Sequence, residues 1–185
     1  MKTNRSLYEI EIALAKHPDF SFKRNIVVFN VNGISGRLPI FHECDMLVCS
    51  KSGYLTEIEI KRSWTDFVAD FNKKHKHESE GMIKYFYYCL PESFDLEKTY
   101  QIIEKNGIQY SGIYFYDKSL HFQFHGCRLD LGNRLIYVNR ALEKFSKLYL
   151  EQQLELARLG AMRVVGLKEK LVKTILASNG KAGER

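Results

Sequence analysis

The stretch Cys44-Asp45-Met46-Leu47-Val48-Cys49-Ser50-Lys51-Ser52-Gly53-Tyr54-Leu55-Thr56-Glu57-Ile58-Glu59-Ile60-Lys61 decides how this chain folds. Two strand-forming runs, 44–50 and 54–61, are separated by Lys51-Ser52-Gly53 alone, which predicts a hairpin. Side chains alternate along 54–61, so Glu57, Glu59 and Lys61 share one face while Ile58 and Ile60 share the other. A three-residue loop pairs Ser50 with Tyr54 and sets Asp45 opposite Glu59, with Cβ atoms about 4.5–5.5 Å apart. Gly53 stands at the loop position where a type I turn with a G1 bulge requires glycine. A two-residue Ser52-Gly53 loop would instead pair Asp45 with Ile60 and send its side chain to the opposite face. Any chemistry shared by Asp45 and Glu59 therefore depends on the longer loop.

Outward from the hairpin, residues 5–16 read as a helix, with Ser6 as cap, Leu7, Ile10 and Leu14 at helical spacing, and Pro18 ending the pattern. Residues 26–31 form a β-branched strand stopped by Asn32-Gly33, followed by a Gly-containing loop at 32–37. Ser63 begins a helix through about 77, with Asp66 where a capping-box acid would stand. An aromatic strand at 82–90 ends at Pro91. A helix over 95–105 then precedes strands at 110–116 and 119–125. From 134 to 177 the sequence reads as helix, with Gly160 and Gly166 as breaks, and the last residues read as frayed or disordered. The expected organisation is an α/β domain over 1–133 built on a mixed sheet, a helical C-terminal arm over 134–178, and a disordered tail over 179–185.

Composition limits the alternatives. A chain of 185 residues can bury a core, and 45% hydrophobic content with 13% aromatics excludes collagen-like and disordered classes. No apolar run reaches the roughly 18–20 residues that span a bilayer, and the N-terminal stretch is not an apolar signal core. A cytoplasmic location with no membrane partner is the expectation. Cys44, Cys49, Cys89 and Cys127 show no CxxC spacing, so they read as structural thiols. The formal net charge of +6 permits an anionic partner such as nucleic acid.

Two adjacent carboxylates repel, and a divalent cation resolves that conflict. Oxygen ligands at a strand edge suit Mg²⁺ or Mn²⁺. Such a metal polarises a phosphodiester oxygen and lowers the pKa of a bound water. Lys61 on the same face could orient that water or stabilise charge developing on the phosphate.

Asp45 followed by Glu59-Ile60-Lys61 resembles the bipartite signature of the PD-(D/E)xK nuclease superfamily, whose restriction-endonuclease-like αβββαβ core matches this element order. Lys61-Arg62-Ser63-Trp64-Thr65-Asp66-Phe67-Val68-Ala69-Asp70 resembles the K-x-S-x-x-D-F-x-x-D stretch of MmcB-like DNA-repair proteins and related phage nucleases. The strand ending Tyr87-Tyr88-Cys89-Leu90-Pro91-Glu92 is similar to their Y-F/Y-x-x-P-E strand, and Gly112-Ile113-Tyr114 to a later one. The likeness spans roughly residues 5 to 130. The superfamily's Pro before the first Asp is absent, with His42-Glu43-Cys44 in its place.

The resemblance implies a metal-dependent DNA nuclease, with Asp45 and Glu59 as metal ligands, the Ile60 carbonyl completing the shell, and Lys61 assisting the attacking water. It also implies a helix-1 carboxylate, either Glu9 or Glu11, with Glu11 on the side that faces the sheet. Ser63 and Asp66 read as helix caps, and Asp70 as a partner for a nearby cation ahead of a metal ligand. Lys73, Lys74 and Lys76 suit phosphate contacts or, equally, a solvated helix face. His75 and His77 are too poorly spaced for a zinc site. The arm packs back on the domain or joins two copies as a homodimer. A non-catalytic nucleic-acid-binding module with the same fold is the rival to the nuclease.

Overall fold

In a computed structural model the described residues are 5–32, 38, 40, 42–72, 81–108, 111–130, 135–138 and 145–182. The elements run α1 (Leu7–Lys16), β1 (Ile26–Asn32), β2 (Glu43–Cys49), β3 (Leu55–Ile60), α2 (Trp64–Asp70) and β4 (Ile83–Pro91). They continue as α3 (Leu96–Lys105), β5 (Gly112–Tyr116), β6 (Phe122–His125), β7 (Cys127–Asp130), β8 (Leu135–Val138) and α4 (Leu150–Ala182).

The hairpin takes the longer loop. Ser50 N–H donates to the Tyr54 carbonyl at 2.9 Å, and Gly53 N–H donates to the Ser50 carbonyl at 2.8 Å. Gly53 adopts φ +83°, the left-handed conformation that its position demands. The ladder pairs Cys49 with Leu55, Leu47 with Glu57 and Met46 with Ile58, so one step further Asp45 falls opposite Glu59.

Six strands lie side by side in the order β1-β2-β3-β4-β5-β6. β2 runs antiparallel to both of its neighbours, β1 and β3; β3-β4 and β4-β5 are parallel, and β6 returns antiparallel on β5. The parallel joins need crossovers, and α2 and α3 supply them. β4 lies at the centre and is buried over most of its length. Its aromatic run alternates as a doubly covered strand should: Phe86 and Tyr88 enter one core, Tyr87 the other.

On one face, Ile10 and Leu14 of α1 pack with Met46, Ile58, Ile60, Cys89 and Tyr114. On the other, Phe67 of α2, Tyr100 and Ile103 of α3 and Leu156 of α4 pack with Leu47, Leu55, Ile83 and Tyr88. The result is an α/β/α sandwich with Glu57, Glu59 and Lys61 rooted in its middle layer.

The C-terminal third departs from expectation. Residues 135–138 form a strand paired with β7, where helix was expected. Leu135-Ile136-Tyr137-Val138 is a β-branched and aromatic run whose local preference prevails over the surrounding helical periodicity. α4 starts only at Leu150 and runs unbroken past Gly160 and Gly166 to Ala182, into the stretch expected to be disordered. Gly160 serves close approach instead of a break: a Cβ there would stand 3.2 Å from a Val28 methyl on β1. Leu148 and Leu156 join the same core as the sheet, so the arm's first part belongs to the domain. From Ala161 to Leu176 nearly every residue is exposed, so packing back on the domain stops near Gly160. Among the described residues, no helix is long and apolar enough to cross a membrane.

Candidate functional site

Glu57, Glu59 and Lys61 project from β3 and its C-terminal end, and all three are nearly inaccessible to solvent. Burial of this kind demands partners. Lys61 Nζ donates to Glu59 Oε2 at 2.8 Å and to Asp70 Oδ1 at 2.7 Å, tying β3 to the last turn of α2. Tyr88 Oη donates to the other Asp70 oxygen at 3.2 Å from the neighbouring strand. Burial alone would depress the Lys61 pKa, but Glu59 and Asp70 overcome it and hold the ammonium well above its ordinary value. Lys61 is therefore a fixed cation, and Asp70 is its structural counter-ion.

Asp45 is placed by an irregularity. In β1 and β2 the ladder pairs Phe29 with Met46 and Val31 with Cys44, and omits the intervening pair, Asn30 and Asp45. Asn30 takes φ +51°. Met46 packs on the α1 side, whereas Val31 and Cys44 pack on the α2–α3 side. Residues two apart should share a face, so both strands change faces at Asn30 and Asp45. The Asp45 carboxylate then accepts the Ile60 N–H at 2.8 Å, standing where a ladder carbonyl would otherwise be. A backbone N–H points in the plane of the sheet, so the carboxylate lies near that plane, between the two faces.

Glu11 approaches from α1. It is 4% exposed, and Asn30 Nδ2 donates to its Oε1 at 3.2 Å. Burial raises its pKa, the Asn30 bond opposes that, and the Asp45 charge adds to the rise. The same charge, after burial, helps to push up the Cys89 thiol. Glu9 is turned away: it closes a capping box with Ser6 and pairs with Arg5 at 2.8 Å. Of the two helix-1 acids, only Glu11 meets the sheet.

Ser63 caps α2 by accepting the Asp66 N–H at 3.2 Å, and Asp66 supplies an acid to the first turn. α2 is shorter than expected, ending at Asp70. Lys73, Lys74 and Lys76 lie outside the described residues.

A second group escaped the sequence reading. His42, Cys44 and Glu57 bring one donor atom each within 4.8 Å of one another. His42 Nε2 stands 2.7 Å from Glu57 Oε1 and 3.5 Å from Cys44 Sγ. Cys44 would face α1 if β2 kept strict alternation; the face change at Asp45 brings it to Glu57 instead. The only signal in the sequence was His42-Glu43-Cys44 beside a strand that already carried Glu57.

No protein-family model matches the chain, and no curated protein matches it. Among solved structures, a protein of unknown function from Silicibacter pomeroyi is similar over 91% of this chain and 92% of its own, with TM-score 0.53 and 14% identity. At that identity the likeness concerns the fold. The chain is a mixed α/β protein with a six-stranded sheet and four helices among the described residues.

Proposed function

We propose that this chain is a metal-dependent nuclease with a restriction-endonuclease-like core, hydrolysing phosphodiester bonds in DNA in repair or phage DNA metabolism. The observation that carries this reading is the Asp45 carboxylate held 2.8 Å from the Ile60 N–H, in a register that sets Asp45 opposite Glu59. Two acids from adjacent strands thus flank Ile60. In extended backbone the N–H and C=O of one residue point to the same side, so the Ile60 carbonyl also faces β2. Asp45, Glu59 and that carbonyl would supply an all-oxygen donor set of the kind Mg²⁺ or Mn²⁺ prefers. When bound, such an ion polarises a phosphoryl oxygen and acidifies a water.

This chain's own groups do the rest. Lys61, kept as an ammonium, donates hydrogen bonds and offsets charge that develops on the phosphate; it is not a proton acceptor. Asp70 and Tyr88 orient it. Glu11 adds a third carboxylate from the α1 side, and the net charge of +6 favours a polyanionic substrate.

Cleavage of plasmid and single-stranded DNA with and without Mg²⁺ tests the reading. Asp45→Asn is the informative variant, because its amide oxygen still accepts the Ile60 N–H while the charge is gone. It should lower metal-dependent cleavage by about a hundredfold or more at unchanged melting temperature. Cutting that survives Asp45→Asn and Lys61→Ala would refute both role assignments. A second reading, a non-catalytic nucleic-acid-binding module, is favoured by the near-complete burial of Glu59 and Lys61. It predicts DNA binding at low salt with no cleavage under any divalent cation.

A further inference from the structure

We propose that His42, Cys44 and Glu57 form a second metal site, one that takes a transition-metal dication, Zn²⁺ foremost. The three residues offer a ring nitrogen, a sulfur and a carboxylate oxygen, all within 4.8 Å of one another. Nitrogen and sulfur donors select zinc over magnesium, so this site and the all-oxygen set at Asp45 and Glu59 take different ions.

The spacing fits. Ligands bound to zinc at about 2.0–2.3 Å stand about 3.3–3.8 Å apart in a tetrahedron. His42 Nε2 and Cys44 Sγ are already 3.5 Å apart. The 2.7 Å separation of His42 Nε2 and Glu57 Oε1 has a proton between its atoms, and these must part by about half an ångström when a metal replaces it. Binding also displaces the Cys44 thiol proton to solvent as the metal–sulfur bond forms.

Electrostatics point the same way. Among the described residues, Glu57, Glu59 and Asp70 are buried on this side of the sheet, and Lys61 pairs with the last two. Carboxylates gathered in a low-dielectric layer favour a dication. Cys44 and Glu57 are fixed on adjacent strands, and His42, with 9% of its side chain exposed, lies at the approach. Three protein ligands leave a fourth position for water, the pattern of an open zinc site.

The test uses the full chain, freed of metal with chelator and kept reduced, then titrated with Co²⁺ and afterwards Zn²⁺. One equivalent of Co²⁺ should develop a thiolate-to-cobalt charge-transfer band, which Zn²⁺ abolishes by displacement. Cys44→Ser should lose the band, while Cys49→Ser, whose thiol lies at the far end of β2, should keep it. His42→Ala alters the least buried ligand; it should weaken Co²⁺ binding at least about tenfold and remove the rise in melting temperature that Zn²⁺ gives the parent chain. No band in the parent chain, or a band that persists in Cys44→Ser, overturns the proposal. Mg²⁺ produces no such band, so this outcome is independent of the cleavage assay.

Discussion

Lys61 and Asp70 lie 2.7 Å apart, Nζ to Oδ1, and this ion pair joins the end of β3 to the end of α2, with the Tyr88 hydroxyl donating to the other Asp70 oxygen. Both partners are almost fully buried. The pair fixes the position and charge of Lys61 on the acid-bearing face.

Removing one member should strand the other. Lys61→Met is expected to destabilise the fold by about 3–5 kcal/mol, because Glu59 and Asp70 remain buried without their counter-ion. Adding Asp70→Asn to Lys61→Met should restore part of that loss. Urea denaturation of both single variants and the double variant gives the coupling; additivity would contradict the pairing.

Glu11 carries a sign that pH can read. Its pKa in the folded chain is raised above the ordinary 4.5, chiefly by burial. The folded state then holds its proton more tightly than the unfolded state. Stability therefore falls as pH rises from the unfolded value through the folded one, and the ionised form stays costly above that window. Glu11→Gln keeps an oxygen for Asn30 and removes the charge. It should raise the melting temperature at pH 7, with the gain shrinking as pH falls through the raised folded value and gone below the ordinary 4.5. A gain that is constant with pH would show that the Glu11 charge is not the cause.

Gly53 is constrained twice. Its φ of +83° disfavours any side chain, and a Cβ there would approach the Leu148 carbonyl oxygen to 2.9 Å. Gly53→Ala should cost about 1–2 kcal/mol from backbone strain alone. Loss of the bond from Leu148 N–H to the Gly53 carbonyl, 2.8 Å, adds to it. Hydrogen exchange at Leu148 is the direct measure: protection equal to the parent chain would contradict the clash.

The distal arm should be dispensable for folding. Leu167, Leu171, Ile175 and Leu176 are exposed. Ending the chain after Gly166 should shift the melting temperature by no more than about 2–4 °C. If this apolar stripe joins two copies as a homodimer, light scattering should report a halved mass for the truncated chain. Equal masses would remove that role from the arm.

Much of this architecture was legible because its signals are local. Lys51-Ser52-Gly53 fixes the loop, the loop fixes the register, and the register places Asp45 opposite Glu59. The αβββαβ order follows from runs separated by strong breakers such as Gly53 and Pro91. The face change at Asn30 and Asp45 was not legible, because strict alternation is the only rule a single strand offers. Its cause lies in the pairing of β1 with β2 and in the Ile60 N–H, contacts remote in sequence. For the same reason His42, Cys44 and Glu57 looked unrelated. β8 was missed because a four-residue strand is outvoted by the helical pattern around it.

The clasp between Gly53 and Leu148 bears on how the polypeptide matures. The hairpin can close as soon as its own residues leave the ribosome, but its tip waits for a segment made 95 positions later. Until Leu148 and Leu156 arrive, Val28, Leu47 and Leu55 lack part of their cover. A nascent chain halted near residue 133 would therefore present greasy surface beside an unlatched β-turn. Fragments cut at that point invite chaperone capture and clumping, and a recombinant version should extend at least through Gly160.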